Sequence, residues 1–272
     1  MVADRVLHRA AVLGSPISHS LSPVLHEAAY RSLGLSGWAY TAVEVTESGL
    51  AGFVAGLDGS WRGLSLTMPL KEAAFDVAVE VSELARAARS INTLVRRPDR
   101  TWAGDNTDVH GIVAALRSVE HDGTARVIGA GATARSAVIA LRTLGVARIE
   151  VAARRPEAAR TIADLAEKLG LRARPVPLGE WAVRPPRLIV STVPAAAGPA
   201  LAQAVTRMEG VTVFDVVYVP WPSPIAAAVE AVGGRAVSGL EMLLHQTALQ
   251  VELFTGRSPD VEAMRAAVGT TP

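Results

Sequence analysis

Apolar and polar positions follow two rhythms along this chain, which change near a polar junction at 104–111. Before it, short strand-like runs at 38–45 and 63–67 alternate with stretches at 24–33 and 48–57 whose apolar residues recur at helical spacing. After it the alternation is regular. Val127 and Ile128 end an apolar run that enters Gly129-Ala130-Gly131, and an Ala-rich helical stretch reaches Gly145. A strand is predicted at 148–153, a helix at 157–169, and strands near 187–191 and 211–215. Strand and helix alternating at this spacing imply right-handed crossovers and a parallel sheet. A last helix is predicted at 242–254, from Leu243, Leu244, Leu249, Val251 and Phe254. The pattern predicts an α/β chain of two domains, with no internal repeat and no low-complexity tract.

Composition narrows the function classes. The chain has 272 residues, half of them hydrophobic, and a formal net charge of +1. This suits well-buried cores and offers no basic footprint for nucleic acid. It has no cysteine, which excludes disulfides, thiolate metal sites and a cysteine nucleophile. Arg5, His8 and Arg9 precede an apolar stretch of only four residues, Ala10 to Leu13, too short for a signal-peptide core. No apolar run reaches membrane-spanning length. A soluble cytoplasmic protein is expected, without nucleic-acid or membrane partners. His19, His26 and His245 show no metal-ligand spacing, so structural hydrogen bonding is expected of them, and no metal.

Candidate chemistry sits in a few segments. The stretch 14–23, Gly-Ser-Pro-Ile-Ser-His-Ser-Leu-Ser-Pro, crowds hydroxyls into a turn that its prolines stiffen, which suits a ligand covered in hydroxyls. Its plainer reading is a strand-to-helix turn, with Ser22 as helix cap and Pro23 at the first helical position; that leaves Ser18 and Ser20 unexplained. Gly129-Ala130-Gly131-Ala132-Thr133-Ala134 fits the dinucleotide-binding pattern between a strand and a helix. The next strand ends in Arg154 and Arg155, with no carboxylate at its tip. Paired guanidiniums suit a 2′-phosphate, so NADP is favoured over NAD; otherwise they form a solvated turn. Lys71 follows a proline-fixed turn, Asn92 stands between apolar neighbours, and Asp105, Asn106, Thr107 and Asp108 lie between glycines. Taken singly, these read as a surface lysine, a buried amide satisfied by backbone and a helix-capping linker. Together they form a polar constellation on the first half.

The motifs 19–26, 67–71, 92–93, 106–111, 191–194, 215–220 and 239–246 occur in the order and spacing of one family, and the chain resembles the shikimate dehydrogenases from Gly14 to about Gly256. The resemblance implies a substrate-binding catalytic domain at 1–106, a Rossmann-type NADP-binding domain at 107–238, and C-terminal helices at 239–272 that return to the first domain. It implies reversible NADPH-dependent reduction of 3-dehydroshikimate to shikimate, a step of chorismate and aromatic amino-acid biosynthesis. Ser20, Ser22, Thr67, Lys71, Asn92, Asp108, Tyr218 and Gln246 would contact the substrate. Gly129, Gly131, Ala132 and Thr133 would hold the pyrophosphate and Arg154 with Arg155 the 2′-phosphate, while Thr192, Val193, Val216, Gly239 and Met242 would line the nicotinamide half. The chain departs from the usual pattern at several positions. Glu27 and Ser65-Leu66 stand where Asn and Asn-Val are common, Ser191 replaces a common Asn, and Ala132 takes the place of a third glycine. Arg155-Pro156 also follows Arg154 where Thr or Asn is more usual.

By the same resemblance Lys71 would polarise the ketone and protonate its oxygen, and Asp108 would hold Lys71 in place. Two alternatives stay open. One is a paralogue that prefers quinate with NAD, or aminoshikimate. The other is a binding protein without turnover, against which Lys71 and Asp108 speak. Both a monomer and a homodimer are compatible with the sequence.

Overall fold

The computed structural model describes residues 6–269; Arg5 and the last three residues of the predicted C-terminal segment lie outside them. The chain divides into two compact units, one comprising Met1–Thr107 with Leu243–Pro272 and the other Asp108–Met242.

The first unit contains β1 (His8–Gly14), α1 (Ser22–Ser32), β2 (Trp38–Glu44), α2 (Leu50–Ala55), β3 (Trp61–Leu66), α3 (Leu70–Ala73), β4 (Glu80–Val81), α4 (Glu83–Ala88), β5 (Thr93–Arg96) and β6 (Trp102–Asp105). Its six strands form one sheet in the order β2-β1-β3-β5-β6-β4. The sheet is mixed: β1 runs parallel to β2 and β3, while β5 is antiparallel to both β3 and β6. The reversal at β5 matters for the site. It brings the end of β3, the start of β5 and the end of β6 to one edge, with Ser65 opposite Thr93 and Thr93 opposite Asp105. Leu13, Leu64, Leu70, Ile91, Leu94 and Trp102 form the core beneath that edge.

The second unit contains α5 (Asp108–Leu116), β7 (Thr124–Ile128), α6 (Ala132–Thr143), β8 (Arg148–Ala153), α7 (Pro156–Lys168), β9 (Arg172–Pro177), β10 (Leu188–Ser191), α8 (Gly198–Ala202), β11 (Thr212–Asp215), α9 (Pro224–Ala231) and β12 (Arg235–Ser238). Its sheet is parallel throughout, in the order β12-β11-β10-β7-β8-β9. This is the doubly wound dinucleotide-binding topology, in which the strand order reverses between β7 and β10 and a crevice opens at their carboxyl ends. Burial on both faces explains the apolar run Leu188-Ile189-Val190 of β10 and the inner positions of β7 and β11. Arg126 is one charged exception, with Asp215 at the end of β11. Its guanidinium pairs with Glu150 at 2.5 Å and donates to the carbonyls of Trp181 and Val183, so the buried charge is compensated.

Two more helices complete the chain, α10 (Gly239–Thr255) and α11 (Val261–Gly269). From Leu243 onward they belong to the first unit. There Phe254 fills the space over Gly63, whose added Cβ would overlap its ring, and α11 packs on α1. Among the described residues no helix is long and apolar enough to cross a membrane.

One local expectation is corrected. Ser22 does not cap α1: Leu21 occupies the cap position, and no side chain bonds there. Instead Ser20 Oγ accepts the Ser22 N–H at 3.3 Å, because the turn places Ser22 already inside the helix.

Candidate active site

Four segments of the first unit meet at the sheet edge described above. The serine loop leaves β1, and Gly14 sits so close to Thr67 that a Cβ would overlap the threonine methyl. Ser15 N–H donates to the Met68 carbonyl at 3.0 Å and Thr67 N–H to that of Leu13 at 2.9 Å. The first hydroxyl loop and the 67–71 turn are therefore tied by backbone. Lys71, half-buried at the start of α3, gives its carbonyl to Ile91 N–H at 2.8 Å. Leu66 N–H reaches the Asn92 carbonyl at 2.7 Å, and Asn92 N–H the Asp105 carbonyl at 3.1 Å. Backbone bonding thus brings Ser20, Ser22, Thr67, Lys71 and Asn92 to neighbouring turns.

Asn92 lies at the centre of a buried polar cluster. Its Oδ1 accepts Thr107 N–H at 2.8 Å and the Thr93 hydroxyl at 2.9 Å. Its Nδ2 donates to Thr107 Oγ1 at 3.0 Å and to Gln246 Oε1 on α10 at 3.1 Å. The expected buried amide is present, but side chains share in satisfying it. Behind it lie residues which, His26 apart, had no role expected from the sequence. Gln250, one helical turn beyond Gln246 and 3 % exposed, joins Thr93, Ser65 and His26, and the Tyr40 hydroxyl donates to Ser65 Oγ at 2.7 Å. The i, i+4 spacing of Gln246 and Gln250 was the available signal. His26 is fully buried and stacked on Tyr40 at 3.7 Å between ring centroids. Burial drives its pKa down to about 3, against the opposing hydrogen bond to Gln250. The structural role expected of His26 is present, whereas His19 is exposed and His245 half-buried.

Asp108 and Tyr218 belong to the second unit. Asp108 opens α5 and is 1 % exposed, directly after the Thr107 that is bonded to Asn92. Tyr218 lies in the loop 216–223, whose ends are held by Asp215. This carboxylate accepts Val217 N–H at 3.3 Å and the Ser223 hydroxyl at 2.6 Å. Burial pushes the Asp215 carboxyl up, against the lowering effect of those hydrogen bonds.

The second unit also contains a groove of about 620 Å³ at the carboxyl ends of β7, β8 and β10. It is lined by Gly129, Gly131, Arg154, Arg155, Val193 and Pro194, among others. Gly129 has φ +112°, and a Cβ there would overlap Thr192 Oγ1, so both backbone and space require glycine. Gly131 holds the cap position of α6 without a side-chain cap, which leaves the helix start, with Ala132 and Thr133 in its first turn, open to an anion. Ala134 is buried, and Arg154 and Arg155 are exposed at the rim. Gly239 lies so near the Val216 carbonyl that a side chain would overlap it, and Met242 is buried on the same helix. The residues present therefore fit a phosphorylated dinucleotide. Among the described residues no cluster of His, Cys, Asp or Glu could hold a metal ion.

Comparison with known proteins decides the family. The shikimate dehydrogenase substrate binding domain matches residues 12–94, and the shikimate 5′-dehydrogenase C-terminal domain matches residues 239–268. A curated NADP(+) shikimate dehydrogenase of Methanothermobacter thermautotrophicus is 33 % identical over an alignment covering 96 % of this chain and 95 % of that protein. The chain belongs to the shikimate dehydrogenase family. Two solved structures agree. The Mycobacterium tuberculosis shikimate dehydrogenase is 42 % identical with a TM-score of 0.88, covering 97 % of this chain and 100 % of that one. The Thermus thermophilus shikimate 5-dehydrogenase, solved with NADP(H) and shikimate, is 34 % identical with a TM-score of 0.84, covering 96 % and 98 %. In this member of the shikimate dehydrogenase family, the two matched segments contain the serine loop, Lys71, Asn92 and Gln246.

Proposed function

We propose that this chain is an NADP-dependent shikimate dehydrogenase that reversibly reduces 3-dehydroshikimate to shikimate in chorismate and aromatic amino-acid biosynthesis. It acts in the cytoplasm as a monomer or homodimer. The observation that carries the reading is the gathering of hydroxyl, amide and lysine groups at one sheet edge of the first unit. Such an edge suits a small polyhydroxy acid, which needs many short, directional hydrogen bonds. The glycine turn, the open helix start and the arginine rim of the second unit support NADP.

In this reading Ser20, Ser22, Thr67, Asn92, Tyr218 and Gln246 bind the hydroxyls and carboxylate and fix the ring. Gly129, Gly131, Ala132 and Thr133 hold the pyrophosphate, and Arg154 and Arg155 hold the 2′-phosphate. Thr192, Val193, Val216, Gly239 and Met242 line the nicotinamide half. NADPH, when bound, supplies the hydride. The protein then manages one proton: Lys71 polarises the ketone and delivers a proton to its oxygen, and Asp108 holds Lys71 in position. In the oxidative direction the same pair removes the proton.

The direct test is NADPH oxidation with 3-dehydroshikimate, run beside 3-dehydroquinate and beside NADH. Turnover confined to 3-dehydroshikimate with NADPH is the expected result. A preference for the quinate series or for NADH makes the chain a paralogue, and silence in every combination removes the catalytic reading.

A further inference from the structure

The buried cluster around Asn92 has a direction, and donor counting reveals it. The starting point is a backbone group: Thr107 N–H is a donor only, and it lies 2.8 Å from one side-chain atom of Asn92. That atom must be the oxygen, so the Asn92 NH2 faces Gln246 at 3.1 Å and Gln246 must present its own oxygen there. The Asn92 oxygen also lies 2.9 Å from the Thr93 hydroxyl. An amide oxygen cannot donate, so in that bond Thr93 is the donor, and in its 3.1 Å contact with Thr107 the Thr107 hydroxyl gives the proton. Thr93 Oγ1 must then accept from Gln250, 3.0 Å away, which turns the Gln250 NH2 toward Thr93. The Gln250 oxygen is left facing Ser65 Oγ at 2.8 Å and His26 Nε2 at 3.4 Å. Ser65 must donate to it, and Tyr40, at 2.7 Å, must donate to Ser65.

The protons therefore point one way along the chain from Tyr40 through Ser65, Gln250, Thr93 and Asn92 to Gln246. Gln246, half-buried, ends it. Its oxygen is occupied by Asn92, and its NH2 is the group turned away from the cluster. Hydrogen bonds aligned in this sense polarise one another.

We propose that Gln250 is a positioning residue, which with Ser65 and Tyr40 behind it fixes the amide of Gln246 so that its NH2 faces the ligand, making Gln246 a donor to a hydroxyl or carboxylate oxygen of the substrate. His26, in the ring stack with Tyr30 and Tyr40, must carry its proton on Nε2 to donate to Gln250. Ser65 stands where Asn is common in the family, so the route through a serine hydroxyl and Tyr40 is this chain's own way of filling the position. The proposal rests on the functional reading above, in that the ligand is taken to be shikimate.

The test uses the full-length protein, oxidising shikimate with NADP+. Gln250→Met keeps the length of the side chain and removes both hydrogen-bonding groups. It is expected to raise the shikimate KM about tenfold, the scale of one neutral hydrogen bond, with kcat changed less than about threefold and the NADP+ KM unchanged. Gln250→Glu keeps the acceptor toward Ser65 but not the donor toward Thr93, and should show the same split. Gln246→Glu replaces the terminal donor by an acceptor and should raise the shikimate KM more than Gln246→Met does. If Gln250→Met destabilises the fold, Tyr40→Phe and Ser65→Ala break the relay with smaller changes, and each should raise the shikimate KM severalfold at unaltered kcat. Wild-type shikimate KM in Gln250→Met, or better binding by Gln246→Glu than by Gln246→Met, overturns the relay while leaving the activity standing. Absence of shikimate turnover in the wild-type chain overturns the functional reading and the relay's stated ligand together.

Discussion

At the scale of single residues the chemistry rests on side chains whose plainest reading is unremarkable. Lys71 is half-buried, and its place is set by backbone, through the bond from Ile91 N–H to its carbonyl. Replacing it by alanine keeps that backbone bond and removes the ammonium proposed as the proton donor. Lys71→Ala is expected to lower kcat by roughly 10²–10⁴-fold, the range of lost acid–base catalysis, with a smaller change in shikimate KM. Stopped-flow or steady-state turnover beside the wild type decides it, and an unchanged kcat removes Lys71 from the mechanism. His26 supports a prediction about pH. Its folded pKa lies near 3, lowered by burial, against 6.5 for the free side chain. Above pH 6.5 the ring is neutral folded or unfolded, and the full stability is present. As pH falls from about 6.5 toward 3, only the unfolded chain takes up the proton, so stability declines by up to about 1.4 kcal/mol per pH unit from this residue. Urea unfolding at a series of pH values should show that decline in the wild type and a shallower one in His26→Phe. Equal slopes would show that the imidazole is not the group responsible.

At the scale of elements the turn between β7 and α6 is the most constrained segment. Gly129 combines a left-handed φ with contact against Thr192. Gly129→Ala must adopt a conformation that costs on the order of 1–3 kcal/mol or move the turn away from Thr192. The expected result is NADP+ affinity weaker by about ten- to a hundredfold in a fluorescence titration, with the first unit's own fold undisturbed. Normal NADP+ binding by this variant would mean that the turn does not carry the phosphate. Much of this element was legible in sequence, because the glycine pattern and the flanking strand and helix share one short stretch. The strands β5 and β6 were not. Each has four residues with no apolar run of its own, and their identity comes from pairing, β5 with β3 and β6 with β5 and β4. The edge strand β9 was missed for another reason: Pro175 and Pro177 interrupt it, a composition tolerated only where one side of the strand lacks a neighbour.

At the scale of the whole molecule the first unit is discontinuous in sequence. The segment from Leu243 contributes Leu244, Gln250, Val251, Phe254 and Met264 to its interior, all buried. Removing residues 243–272 exposes the face of β3 at Gly63 and leaves His26 and Ser65 without Gln250. A chain ending at Met242 is expected to lose the cooperative unfolding of the first unit, whereas a fragment spanning 108–242 retains its own parallel sheet. Circular dichroism melts and limited proteolysis of the two fragments test this. A first unit that stays protected without the C-terminal helices would show that they add nothing essential to its core.

The amino-acid sequence by itself determined the second unit's alternation of strand and helix, the nucleotide turn, the arginine pair and the family. These are local: each is written in consecutive residues, where periodicity and turn chemistry act over a few positions. It also supplied the names of the polar residues in the first unit. Their grouping, and the way each amide is turned, was decided only by the tertiary structure. Asn92 and Thr107 are far along the chain from Gln246 and Gln250, and a hydrogen bond between them has no sequence signature until a reversed strand and a returning helix bring donor and acceptor to about 3 Å. Once they are close, the cost of an unpaired buried polar group favours the arrangement in which each amide presents its oxygen to a donor and its NH2 to an acceptor.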